Sequence, residues 1–172
     1  KPFRAKIDFN SMIRSTLNLL DHKLKLSGVI IELDLQNDLP LVHCDGSQMQ
    51  QVVINLIMNG AEAAQGKTEG EVSVKTHIDP ARGALLFAVS DNGDGIPEEN
   101  LSKIFSPFFT TKGEGKGVGL GLAVVFGIIE AHKGDIDVKS EPDHGTTFIV
   151  TLPFDETIPK EHAKQKKSGT TV

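Results

Sequence analysis

Asn55 and Asn59 lie four residues apart in the run QVVINLIMNGAEA, and with Gln48 and Glu62 they fall at spacings of seven, four and three. On a helix those four polar groups share one face. Asparagine costs a helix roughly half a kcal/mol against alanine, so two of them in mid-helix beside an apolar stripe call for a reason. One is a solvated outer face. The other is ligand contact, because neutral amide oxygens suit a hard cation such as Mg²⁺ that is already shared with phosphate groups.

Three further segments carry groups of the same chemistry. Asp91 opens the run DNGDGIP, in which Gly93 and Gly95 allow a backbone approach that a Cβ would block. A carboxylate there could accept a hydrogen bond from an exocyclic amino group. Adenine offers that donor where guanine offers an acceptor, which favours ATP over GTP. A plain Asp-Gly turn is the alternative. Gly117, Gly119 and Gly121 of GVGLGL open a helix, whose unpaired N–H groups and positive dipole end suit phosphates. Glycines placed for close helix packing would read the same way. A dinucleotide fingerprint fails because a charged loop, not a strand, precedes the run, and a Walker loop fails for want of Gly-Lys-Ser/Thr. Between these two segments, FSPFFTTK places Phe105, Phe108 and Phe109 beside Thr110, Thr111 and Lys112, and the glycine-rich stretch to Lys116 follows. The mixture suits a lid with an aromatic foot and phosphate-reaching hydroxyls and ammonium groups, or simply a mobile loop.

The elements that must position these groups follow from periodicity. Apolar residues Phe9, Met12, Ile13, Leu17, Leu20 and Leu24, with Thr16, predict a helix over 9–26 that stops at Gly28. A strand is expected over 29–35, then a loop. Asp45 with Gln48 resembles a capping box, which predicts a second helix from Gly46 to Ala64 with Met49, Val52, Val53, Leu56, Ile57 and Ala63 as its core stripe. Strands over 72–78 and 85–90 form a hairpin around Pro80, and 98–104 reads as a short helix. Residues 118–132, apolar on nearly every side, predict a buried helix stopped at Lys133-Gly134. Strands over 135–140 and 146–152 close the pattern. The order is not a regular βαβ alternation. It predicts a two-layer α/β sandwich, a mixed sheet of about five strands covered on one face by about three helices.

Composition narrows the class. The 172 residues, with 38% hydrophobic and 24% charged side chains, suffice for one domain with its own core, expected over 1–154, followed by a polar, disordered tail over 155–172. The net charge of −5 gives no electrostatic case for nucleic acid, and no apolar run approaches bilayer length. The single cysteine, Cys44, excludes an internal disulfide and fits a reducing, cytoplasmic setting. The six histidines lack the spacing of a metal-ligand pair and are expected to be surface or packing residues. With neither an initiator Met nor a secretory pattern at its start, the chain is expected to be a segment of a longer protein.

Taken in order, the four segments resemble the boxes of the catalytic, ATP-binding domain of two-component sensor histidine kinases, within the wider GHKL (HATPase_c) group. QVVINLIMNGAEA resembles the N box, DNGDGIP the G1 box, FSPFFTTK the F box and GVGLGL the G2 box, and Gly145-Thr146-Thr147-Phe148 resembles the family's last turn. The likeness spans about residues 9–153, and its wording is closest to the nitrogen-regulation subgroup. It implies the GHKL (Bergerat) fold, with ATP and Mg²⁺ as cofactors, Asn59 on the metal, and Asn55, Asn59 and Lys112 acting on the transferred phosphoryl group. It implies further that Asp91 reads adenine, that Gly93, Gly95, Ile96 and Thr147 shape its pocket, and that Phe105, Thr110, Thr111, Lys112, Lys116, Gly117, Gly119, Leu120 and Gly121 surround the rest of the nucleotide.

Related ATPases of the gyrase and chaperone type carry a glutamate where Asn55 stands. An amide cannot take a proton from water, so the resemblance implies ATP held for transfer rather than hydrolysis. The acceptor would be a histidine on a separate dimerisation domain, with a response regulator downstream. Glu62 departs from the family, many members of which carry Lys or Arg there, and so phosphate neutralisation would fall to Lys112, Lys116 or the metal. No phospho-accepting histidine motif is present, and His22 lacks its neighbours. The fragment alone is expected to be monomeric and unable to autophosphorylate. Alternatives are a nucleotide-gated interaction module without phosphoryl transfer, a chaperone- or topoisomerase-type ATPase, which Asn55 opposes, and an anti-sigma-factor serine kinase of the same fold.

Overall fold

The computed structural model describes residues 3–107, 109 and 121–154. The expected tail over 155–172, and the lid residues Phe108 and 110–120, lie outside the described residues. In chain order the elements are β1 (Ala5–Ile7), α1 (Phe9–Ser27), β2 (Ile30–Leu35), β3 (Val42–Cys44), α2 (Gly46–Ala64), β4 (Glu71–Asp79), β5 (Ala84–Asp91), α3 (Glu98–Leu101), α4 (Gly121–Ala131), β6 (Asp135–Glu141) and β7 (Gly145–Pro153).

Five strands make one sheet in the order β2-β4-β5-β7-β6, in which β2 and β4 run parallel and the remaining pairs are antiparallel. A parallel pair needs a crossover, and α2 lies in the segment that supplies it. Period-two alternation then sorts the side chains. Leu85, Phe87 and Val89 of β5 and Phe148, Val150 and Leu152 of β7 are buried on the face under the helices. α2 packs against β4, β5 and β7, with α1 and α4 against α2. The mixed sheet with helices on one face is the expected architecture.

The helix ends follow from local chemistry. Asp8 caps α1 by accepting from the Ser11 N–H at 3.1 Å, and Gly28, at φ +70°, closes it with its own N–H on the Lys25 carbonyl. Asn10, buried in the first turn, donates to the Gln36 carbonyl at 2.8 Å and accepts from the Thr76 hydroxyl at 2.8 Å, which ties α1 to the β2–β4 edge. The ring of Phe9 meets that of Phe87 edge-on at 5.4 Å.

Four expectations are corrected. Residues 36–44 are not all loop: Val42–Cys44 pairs antiparallel with Ala5–Ile7 as a small second sheet. These strands are three residues long, too short for alternation to show. The capping box is half formed: Asp45 accepts from the Gln48 N–H at 3.1 Å, but Gln48 does not reach back. Its Oε1 is buried without a hydrogen-bond partner among the described residues, and the Asp45 N–H goes instead to Nε2 of His132 at 3.1 Å. In α2 the buried alanines are Ala61 and Ala64, whereas Ala63 is exposed. Finally, α4 is not buried all round. Val125, Ile128 and Ile129 are buried, while Val124 and Phe126 are 37% and 42% exposed. Among the described elements the helix packs chiefly on α2 and β6, and the Phe105 ring lies against Phe126. No helix among the described residues is long and apolar enough to cross a membrane.

Candidate functional site

The polar face of α2 and the start of α4 enclose a cleft lined by Asn55, Met58, Asn59, Glu62, Gly121 and Leu122. Asn55 and Asn59 reach it because Val52, Val53, Leu56 and Ile57, all fully buried, hold the opposite face of α2 on the sheet. The Asn55 amide nitrogen approaches the Gly121 carbonyl at 3.4 Å, which leaves its oxygen to the cleft. Asn59 is half-buried, and its side chain makes no hydrogen bond among the described residues. An amide set at a cleft without an internal partner is chemically ready for an external one, and two neutral oxygens one turn apart fit a hard, water-retaining cation.

Asp91 continues the inward row Leu85, Phe87, Val89 to the end of β5, in register with Val72 on one side and Thr146 on the other. It therefore emerges beneath α2, where a Cβ built on Gly60 would lie 3.6 Å from its own. Burial pushes its carboxyl pKa above the ordinary value, opposed by hydrogen bonds from the backbone N–H groups of Gly93 (2.9 Å) and Thr146. A carboxylate left partly desolvated in this way is a strong acceptor for a ligand donor.

The loop after Asp91 is braced from three sides. Gly93 passes so close to α2 that a Cβ would strike the Ala63 carbonyl, and Gly95, at φ +76°, would strike the Glu141 carbonyl. Asn92 accepts from the Glu71 N–H at 2.8 Å and donates to the Glu69 carbonyl at 2.7 Å. The Asp143 N–H reaches the Asp94 carbonyl at 2.6 Å, and the Ile96 N–H reaches the Ser140 hydroxyl at 2.7 Å.

The expected site residues thus divide. Asn55, Asn59 and Gly121 meet at the cleft, and Asp91, Gly93, Gly95 and Ile96 form the neighbouring loop. Phe105 stacks on Phe126 at 5.6 Å and meets Phe148 edge-on at 6.3 Å, an anchoring contact within the protein. Thr147 does not join the site: alternation turns it to the other side of the sheet, where its hydroxyl lies 2.7 Å from that of Ser90. Thr146, buried and opposite Asp91, is the threonine on the Asp91 side of the sheet. Only the strand register distinguishes the two threonines. Thr110, Thr111, Lys112, Lys116, Gly117, Gly119 and Leu120 lie outside the described residues.

Two other residues define their own chemistry. His132 is buried, with Nδ1 2.8 Å from the Ile128 carbonyl and Nε2 accepting from Asp45, so the ring is neutral with its proton on Nδ1. Burial lowers its pKa. Burial likewise pushes the Cys44 thiol up to about 11, which leaves it protonated and inert at neutral pH.

This geometry has counterparts. The family described as histidine kinase-, DNA gyrase B-, and HSP90-like ATPase matches residues 44–156. Sporulation kinase E of Bacillus subtilis (strain 168) is 39% identical over 91% of this chain, which spans 20% of that relative's length. The nucleotide-free catalytic domain of histidine kinase ThkA is 32% identical, with a TM-score of 0.77, covering 88% of this chain and 95% of that one. ThkA in complex with the response regulator protein TrrA matches at 29% identity and a TM-score of 0.73, over 88% of this chain and 42% of the other. The chain belongs to the histidine kinase-, DNA gyrase B-, and HSP90-like ATPase family, as the ATP-binding catalytic domain of a sensor histidine kinase.

Proposed function

We propose that this domain binds Mg²⁺-ATP, reads its adenine with Asp91 and gives the γ-phosphoryl group to a histidine on a separate dimerisation domain, from which a response regulator receives it. The observation that carries the proposal is the α2 face: Asn59, whose side chain makes no hydrogen bond among the described residues, and Asn55, one turn away, open together on the cleft at the start of α4. Asn59 would hold the magnesium ion with Asn55 beside it, and the ion would supply neutralisation of the phosphate charge. Asn55 offers no carboxylate to activate water, so the bound γ-phosphoryl group waits for an external nucleophile. Lys112 and Lys116 add positive charge from the segment between Phe109 and Gly121. The ThkA–TrrA complex supports a response regulator as the downstream partner, and a relay from ATP through a histidine to such a protein belongs in the cytoplasm.

Calorimetric titration with Mg²⁺-ATP and Mg²⁺-GTP tests the binding half. ATP-selective binding that weakens in Asn59→Ala is expected, and a folded domain that ignores millimolar ATP would refute the proposal. Transfer is tested with γ-labelled ATP and a histidine-bearing helical hairpin: label should move to the hairpin, and none should appear on the domain alone.

A further inference from the structure

Ser140, on the inward face of β6 and in register with Thr146, has a hydroxyl that meets three polar groups. It accepts from the Ile96 N–H at 2.7 Å, and it lies 2.8 Å from Thr146 Oγ1 and 3.1 Å from the Gly145 carbonyl. A hydroxyl has one proton to donate. The Ile96 N–H takes one lone pair, so the proton goes either to Gly145 or to Thr146. The choice decides what Thr146 can offer. If Gly145 receives it, Thr146 must donate to Ser140 and stands beside Asp91 as a second acceptor. If Thr146 receives it, the Thr146 proton is released, and the pair becomes an acceptor, Asp91, next to a donor. Adenine presents an amino donor beside a ring-nitrogen acceptor, and guanine presents the reverse order. Only the second arrangement is complementary to adenine; it keeps the 2.8 Å contact, which both arrangements make, and gives up the 3.1 Å bond to the Gly145 carbonyl.

We propose that Ser140 is a positioning residue for nucleobase recognition: its hydroxyl donates to Thr146 Oγ1, turns the Thr146 proton toward the adenine ring nitrogen, and holds the Asp91 loop in place through the Ile96 N–H. The inference rests on the ATP-binding reading above.

The test compares ATP with 1-deaza-ATP, in which that ring nitrogen is a C–H, by calorimetry on the wild type, Ser140→Ala and Ser140→Thr. The wild type should prefer ATP by about tenfold, the worth of one well-made hydrogen bond. Ser140→Ala should shrink the preference to about twofold, and Ser140→Thr, which keeps the hydroxyl, should restore it. Should Ser140→Ala melt below the assay temperature, the near-isosteric Ser140→Cys replaces it with the same expectation. Equal weakening of both nucleotides with the preference intact, or no change at all, overturns the proposal and leaves Ser140 a brace for the loop. A folded wild type that binds neither nucleotide overturns the ATP reading itself, which the variants alone could not do.

Discussion

Asp91 is a residue whose demands for folding and for binding conflict. Burial raises its carboxyl pKa above the ordinary 3.8, so the folded state holds the proton more tightly than the unfolded chain does. The stability linked to that proton is fully present below about 3.8 and is lost as the pH rises through the folded value, so at neutral pH the charged side chain burdens the fold. Asp91→Asn should therefore melt no lower than the wild type at pH 7, and the gain should vanish on acidification. The same change replaces a charged acceptor by a neutral one and should weaken ATP binding about tenfold. Scanning calorimetry at two pH values and an ATP titration check both halves, and a large loss of stability at pH 7 would remove the argument. Asn59 behaves alike for another reason. Its amide has no hydrogen-bond partner among the described residues, and alanine is the better helix former by roughly half a kcal/mol, so Asn59→Ala should raise the melting temperature slightly while it weakens Mg²⁺-ATP. The cluster of chemistry was legible in the sequence because these polar types at helical spacing on an apolar helix contradict propensity. Thr146 was not, because choosing between neighbouring threonines needs the pairing of β7 with β5.

At the scale of elements, α2 is the reference to which the other parts are fixed, and α4 is joined to its N-terminus through His132. The ring accepts the Asp45 N–H only while neutral, and Arg4 and Asp45 are the charged groups beside it. Its pKa is lowered in the fold, so its contribution is present above the unfolded value near 6.5 and is lost as the pH falls through the folded one. Thermal melts should be flat above about pH 7 and decline below 6.5, and His132→Gln should reduce that slope. An unchanged slope would assign the decline to other groups. The glycines around the site are not equivalent. At Gly95 a Cβ meets the Glu141 backbone at positive φ, so Gly95→Ala should cost about 2 kcal/mol or more, read from the denaturation midpoint. At Gly121 a Cβ meets Asn55 at 3.9 Å, an ordinary contact, so Gly121→Ala should fold as well as the wild type. Sequence reasoning had already separated the two, reading Gly95 as a close backbone approach and Gly121 as the opening of a helix. It placed α2 correctly because an acidic N-cap and a long apolar stripe are local signals, and it missed β1 and β3 because three-residue strands owe their existence to a partner nearly forty residues away. It overstated the burial of α4 for a related reason, since apolar composition does not say which sides of a helix have neighbours.

On the scale of the molecule the site has two unequal halves. The proposed base end, from Asp91 to Ile96, is locked by backbone contacts to α2, β4 and the β6–β7 turn, whereas the proposed phosphate end is a cleft whose polar side chains among the described residues are two amides and one carboxylate, Glu62. A rigid base pocket with an open phosphate end suits a domain that grips ATP by the adenine and leaves the γ-phosphoryl group reachable from outside. Hydrolysis would need a base aligned with water, and Asn55 cannot serve as one. The isolated domain, incubated with Mg²⁺-ATP, should release ADP no faster than a protein-free control. Asn55→Glu places a carboxylate at the same point on α2 and should raise steady hydrolysis at least tenfold, while it lowers transfer to a supplied histidine hairpin because water then competes for the same phosphoryl group. Coupled-enzyme detection of ADP reads the first effect and γ-label on the hairpin the second. Rapid ADP release by the wild type, or an Asn55→Glu variant that binds ATP yet hydrolyses it no faster, would mean that residue 55 does not decide between water and histidine.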